Sequence, residues 1–205
     1  MLERFRQFWT RVLSPIADFL LRIGVKPDWV TIVGTVGVSA AALWFFPRGQ
    51  FFVGVLVITA FVVSDLLDGT MARKSGQASK WGAFLDSTLD RVADSAIFAG
   101  LILFYASREH YDVLYLSLSL LCLVLGWLTS YERARAEGLG MTAQVGIAER
   151  ADRLVAVLVM TGLSGLFDLP ILREIVLWAL AVAGAITVVQ RMLTVHKQAK
   201  SPEHR

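Results

Sequence analysis

The chain has 205 residues, 56% of them hydrophobic and 18% charged, with a formal net charge of +3 and a mean hydropathy of +0.60. That balance excludes an ordinary soluble domain and points to an integral membrane protein. Cys122 is the only cysteine, which excludes an internal disulfide or thiolate cluster, and His110, His196 and His204 are too scattered to share a metal.

Residues 1–26 mix Arg4, Arg6, Arg11, Arg22 and Lys26 with Phe5, Phe8, Trp9, Val12, Leu13 and Phe19. There is no continuous apolar core or cleavage site of a signal peptide. Helical spacing gives one aromatic-aliphatic face and one basic face, which predicts a helix lying in the membrane interface, the alternative being an arm packed on a bundle. Six apolar stretches follow, at 29–46, 51–72, 82–106, 112–132, 154–169 and 171–190. Stretches of ~17–25 residues cross a bilayer as helix. The fifth is short and holds Gly162 and Gly165, which blurs its limits. Connections at 47–50 and 107–111 are too short for a separate domain. The expectation is an all-α membrane protein forming one domain over 1–205: an interfacial helix at 1–26, six transmembrane helices within 27–193, and a tail at 194–205.

Six spans place both termini on the side of the loops at 73–81 and 133–153. Sixteen Lys and Arg fall there, against Arg48, Arg108 and Arg173 opposite, with Arg91 inside the third span. The positive-inside rule then predicts a multi-pass cell-membrane protein with termini in the cytoplasm. Anionic headgroups account for the basic excess, and no nucleic-acid partner is needed.

The second span ends in Asp65-Leu-Leu-Asp68-Gly69-Thr-Met-Ala-Arg73, and the third opens with Asp86 and Asp90 four residues apart. Each pair shares a helix face. If the two spans are antiparallel neighbours, four carboxylates converge in the cytoplasmic half of the membrane. A carboxylate within a span costs about 2.5–3.5 kcal/mol even on the lenient insertion scale. Four together also repel one another unless a cation neutralises them. Hard oxygen donors suit Mg²⁺ or Mn²⁺ rather than zinc, and two ions would balance four carboxylates. Interhelical pairs with Arg73 and Arg91, or a cation pathway as in a transporter, are the competing readings. Gly69 admits either close helix packing or a ligand against the backbone. Arg73, one turn on, either snorkels to the interface or holds a phosphate.

The full run, Asp65 through Arg73, then Gly82, Asp86 and Asp90 at their intervals, resembles the signature of the CDP-alcohol phosphatidyltransferases. The segment "KPDWVT" and the expected order of elements resemble that family as well. The resemblance implies a Mg²⁺-dependent homodimer that transfers a phosphatidyl group from CDP-diacylglycerol to an alcohol and releases CMP. It implies Asp65, Asp68, Asp86 and Asp90 as ligands of two metal ions, with Asp90 also the catalytic base. It assigns Asp28, Trp29, Val30, Thr31, Gly69, Arg73 and Ser79 to CDP-diacylglycerol. Asp94 continues the row of Asp86 and Asp90 outside the signature, and is read as a partner of Arg91 rather than a ligand.

The signature is silent on the alcohol. The segments "SYERARAEG", "GIAERADRL" and "VVQRMLTVH" resemble the actinobacterial phosphatidylinositol phosphate synthases within that family. This implies myo-inositol phosphate as acceptor, its phosphate held by Arg133, Arg153 and Arg191. The first of these is often lysine in that group, and arginine keeps the charge while changing the geometry. Phosphatidylglycerol phosphate synthesis, with glycerol 3-phosphate as acceptor, is the alternative.

Overall fold

The computed structural model describes residues 14–75 and 79–200, but not the side chains at 63–66, 68, 72 and 75. Every regular element among them is helical: α1 over 14–22, α2 Pro27–Phe45, a 3₁₀ turn Phe46–Arg48, α3 Phe51–Ser75, α4 Lys80–Ala106, α5 Val113–Gly138, α6 Arg150–Phe167 and α7 Ile171–Ala199. Residues 1–13, the first half of the expected interfacial helix, lie outside the described residues.

The helices obey local chemistry at their ends. Pro27 opens α2, where its missing N–H costs nothing. Gly49, at φ 71, turns the chain between the 3₁₀ turn and α3, a left-handed conformation that costs glycine little. Asp112 caps α5, its carboxylate accepting from the Leu114 and Tyr115 N–H groups at 2.9 and 3.1 Å. Several helices outrun their apolar stretches: α5 continues to Gly138 rather than 132, and α7 to Ala199 rather than 190. Arg, Glu, Ala and Lys propagate a helix as well as Leu does, so polarity ends the apolar run and not the helix.

Three segments are long and apolar enough to cross a membrane, Pro27–Arg48, Val113–Gly138 and Ile171–Ala199, and Phe51–Val62 is a shorter apolar stretch. The protein is a membrane protein. α4 departs from that pattern because Asp86, Asp90, Arg91 and Asp94 occupy its first half.

The chain divides into two compact units, one within Met1–Trp44 and Leu56–Ile97, the other within Phe45–Val55 and Phe98–Arg205. In the first, Gly37 lies under the Phe61 ring so closely that a Cβ would strike it. Lys74, in the last turn of α3, holds α1: its Nζ donates to both Asp18 carboxylate oxygens at 2.7 Å and to Ser14. α1 leaves Ile16 and Phe19 exposed and buries Ala17 completely, and Ile23 in the turn after it is exposed too.

In the second unit α7 packs against both α5 and α6. Glycines set the approach. A Cβ on Gly184 would lie 3.1 Å from Leu125, one on Gly162 3.1 Å from Val55, and one on Gly165 2.8 Å from the Phe52 nitrogen. The glycines that blur the fifth stretch in sequence are therefore its packing face. Arg173, one of the three basic residues counted opposite the basic side, is buried in the first turn of α7. Its guanidinium stands 4.2 Å from the Phe51 ring centre and 5.0 Å from that of Phe104, and donates to Ser164 Oγ at 2.7 Å. Aromatic faces and neutral oxygens replace the water it gives up.

Candidate functional site

The first unit carries the signature. Asp28, Trp29, Val30 and Thr31 form the first turn of α2. Thr31 is buried and returns its hydroxyl to the Pro27 carbonyl at 3.3 Å, while Trp29 is largely exposed. Ser79 precedes α4 and caps it, its Oγ accepting the Gly82 N–H at 3.0 Å. A Cβ at Gly82 would stand 3.4 Å from Ser79 Oγ and 3.8 Å from Asp28 Oδ1. The structure thus brings Asp28, Ser79 and Gly82 to one spot, and the missing side chain keeps that spot open. Gly69 plays a similar part on α3, where a Cβ would lie 3.6 Å from Arg73 Nη1. Arg73 itself is exposed, with Nη2 donating to Thr70 Oγ1 at 3.2 Å. Its guanidinium is therefore held over the small residue rather than extended away.

Asp65 and Asp68 belong to α3, but their side chains lie outside the described residues. On α4, Asp86 is exposed and Asp90 half-buried. Among the described residues no three His, Cys, Asp or Glu come together. What Asp86 and Asp90 offer is oxygen donors one helical turn apart, which fits a hard divalent cation. Arg91 pairs with Asp94 on the same helix, Nη2 to Oδ2 at 3.3 Å, as expected of a partner for that arginine.

The second unit holds the basic residues, and joins two of the three. Arg153 and Arg191 are each more than nine-tenths buried, and both reach Thr129 on α5. Arg153 Nη1 donates to Thr129 Oγ1 at 3.1 Å and to the Ala148 carbonyl at 3.0 Å. Arg191 Nε donates to the Val145 carbonyl at 2.9 Å, and Nη1 to the Thr129 carbonyl. Arg133 stands apart in the open, paired with Glu137 one turn on, Nε to Oε1 at 3.1 Å.

The loop at 139–149 supplies the Val145 and Ala148 carbonyls and is fastened to α7. Gln198 Nε2 donates to the Thr142 carbonyl at 2.6 Å, and its Oε1 accepts the Thr142 N–H at 2.9 Å. Gly146, at φ 143, lies so close to Thr187 that any Cβ would collide with it. Neutral oxygens orient the Arg191 guanidinium but leave its charge in place. No carboxylate among the described residues pairs with it, and Glu132 acts on it only electrostatically. A buried cation held this way favours an anionic ligand. Thr129 is the residue that sequence reasoning missed. Its spacing from Arg133 was visible, but neutral threonine gives no signal of chemistry, and the Val145 and Ala148 carbonyls give none in any sequence.

A membrane protein with a signature of glycine, arginine and carboxylates on one unit, and buried guanidiniums on the other, has the parts of a phosphoryl-group transferase. The model of the CDP-alcohol phosphatidyltransferase family matches residues 25–183, and the chain belongs to that family. It is an enzyme of phospholipid biosynthesis. The phosphatidylinositol phosphate synthase of Streptomyces avermitilis is 52% identical over 97% of this chain and 84% of its own length. That of Cutibacterium acnes is 49% identical over 98% of this chain and all of its own length. Among solved structures, the Mycobacterium tuberculosis phosphatidylinositol phosphate synthase with CDP-DAG bound superposes with a TM-score of 0.86 at 42% identity, covering 95% of this chain and 96% of that one. The same enzyme in complex with manganese and citrate gives 0.86 at 42% identity, covering 94% and 91%.

Proposed function

We propose that this enzyme transfers the phosphatidyl group of CDP-diacylglycerol to myo-inositol phosphate, giving phosphatidylinositol phosphate and CMP. The observation that carries the acceptor is the convergence of Arg153 and Arg191 on Thr129, in a chain whose relatives are named for that product. Two buried forks, each already oriented by neutral oxygens, suit a phosphate that accepts from both. Arg133 would join them by exchanging Glu137 for the ligand.

On the donor side, Arg73 beside Gly69 and the spot bounded by Asp28, Ser79 and Gly82 receive the cytidine diphosphate. Trp29, Val30 and Thr31 complete its wall. Asp65, Asp68, Asp86 and Asp90 hold two divalent cations, Mg²⁺ or Mn²⁺, which supply Lewis-acid stabilisation of charge on the leaving phosphate. Asp90 accepts the proton of the attacking inositol hydroxyl. The oxygen so freed bonds to the phosphatidyl phosphorus as the bond to CMP breaks, so charge and atoms balance. Each diacyl tail stays in lipid throughout.

The same reading takes the protein as six transmembrane helices in one domain, with both termini and the site on the cytoplasmic side, and as a homodimer. The sixteen-to-three split of basic residues supports that orientation. The exposed Ile16 and Phe19 on α1, with Ile23 just after it, support an interfacial N-terminal helix.

The test is a competition. Purified enzyme with CDP-diacylglycerol and equal concentrations of myo-inositol phosphate, free inositol and glycerol 3-phosphate should yield chiefly phosphatidylinositol phosphate. Chiefly phosphatidylglycerol phosphate would assign the enzyme to the other acceptor. Chiefly phosphatidylinositol would show that the guanidiniums do not bind acceptor phosphate.

A further inference from the structure

Thr187, Arg191 and Gln198 follow one another on α7 at intervals of four and seven residues, which puts them on one face of the helix. Each holds a different residue of the segment that joins α5 to α6. Thr187, fully buried, lies so close to Gly146 that a Cβ there would strike it. Arg191 Nε donates to the Val145 carbonyl at 2.9 Å. Gln198 engages both backbone groups of Thr142: Nε2 donates to the carbonyl at 2.6 Å, and Oε1 accepts the N–H at 2.9 Å. The contacts run from 146 back to 142 as α7 runs from 187 to 198. Eleven residues of helix rise about 16 Å, and four residues of extended chain reach about 13 Å. Residues 141–146, which belong to no helix or turn, therefore lie lengthwise along α7 as a strap. Ala143 within it is completely buried.

This strap orients both buried guanidiniums. Val145 gives its carbonyl to Arg191, and Ala148, two residues past Gly146, gives its own to Arg153. A carbonyl holds a guanidinium in one direction only while its own peptide plane is fixed. Gly146 fixes one side of Val145, and Gln198 fixes the other, three residues away. A carboxamide suits that task because it presents a donor and an acceptor in one plane, matching the N–H and C=O of a single backbone residue. We propose that Gln198 is a positioning residue for the acceptor. By clasping Thr142 it sets the Val145 carbonyl, and so the direction in which Arg191 offers its other N–H groups to the acceptor phosphate. The proposal rests on the reading that Arg153 and Arg191 bind that phosphate, and Gln198 acts through the strap rather than on substrate.

Two variants test it. Gln198→Met keeps the length and removes both hydrogen bonds, and Gln198→Asn keeps the amide on a stem one methylene shorter. Each should raise the KM for myo-inositol phosphate about three- to tenfold, with kcat and the KM for CDP-diacylglycerol unchanged. Hydrogen exchange should quicken across 141–146 in both, and melting should hold because the clasp is exposed to solvent. Lys200→Ala, which removes a charge from the same end of α7 and leaves the clasp intact, should change none of these. Quickened exchange with an unchanged KM overturns the proposal and leaves Gln198 a packing residue. A raised KM with unchanged exchange, or an equal defect in Lys200→Ala, overturns it too. The acceptor reading is tested on the wild-type enzyme by competition. A preference there for free inositol ends that reading and this proposal with it, whereas a normal KM for inositol phosphate in Gln198→Met, in an enzyme that prefers this acceptor, refutes the role of Gln198 alone.

Discussion

Replacing Thr129 with valine isolates what the two buried arginines share. The substitution keeps the shape of the side chain and the backbone carbonyl, so the Arg191 contact to that carbonyl remains. It deletes Oγ1, which accepts from Arg153 Nη1 at 3.1 Å and donates to the Gly126 carbonyl at 3.1 Å. A hydrogen bond to a charged group contributes about 1.5–3 kcal/mol. Arg153 keeps its bond to the Ala148 carbonyl, so the guanidinium is loosened rather than lost. Loss of orientation worth about 1.4 kcal/mol is a tenfold change in affinity. The expected result is a KM for inositol phosphate raised about tenfold, with the KM for CDP-diacylglycerol unchanged and kcat little affected. Thr129→Ser, which restores the oxygen, should recover most of the loss. Steady-state kinetics on both substrates, with melting curves as a control, decides the matter. A well-folded Thr129→Val enzyme with an unchanged KM for inositol phosphate refutes the idea that Thr129 positions the acceptor site.

Asn in place of Asp65, Asp68 or Asp86 should abolish activity in limiting metal, whereas Asp90→Asn should chiefly lower turnover, by about 10²–10⁴-fold for a general base; full turnover in excess chelator would exclude the metal site. Single cysteines at Gln50 and Lys200 in a Cys122→Ser background should be labelled from opposite faces of sealed cells. Lys200 is preferred to its neighbour Gln198, whose amide fastens Thr142, and labelling of both sites from outside would overturn the six-span topology. Gly146→Ala combines an unfavourable φ of 143 with a collision at Thr187, so it should cost about 1–3 kcal/mol of loop stability. Hydrogen exchange would then rise across 139–149 and the KM for inositol phosphate would follow; an unchanged exchange pattern would show that the loop is not held from this point. Arg173→Met should lower the melting temperature with kinetics intact, because that arginine is caged by Phe51, Phe104 and Ser164, and a kinetic defect without a stability change would contradict a packing role.

The sequence by itself determined the class of the protein, the helical character and approximate order of its elements, and the donor signature. Apolar run length and residue type act locally, so composition alone reports them. The run from Asp65 to Arg73 with Gly82, Asp86 and Asp90 needs only spacing to be read, and the family match over residues 25–183 agrees with it. Tertiary structure decided the rest. Arg133, Arg153 and Arg191 look equivalent in sequence, yet folding buries two of them against Thr129 and leaves the first paired with Glu137 in the open. Arg173 reads only as one charge in the count opposite the basic side, but lies in an aromatic cage. Gly162 and Gly165 read as interruptions, but are where α6 meets Val55, Phe51 and Phe52. In each case the deciding partner is a distant side chain or a backbone carbonyl. Their availability depends on which faces meet, and no local pattern encodes that.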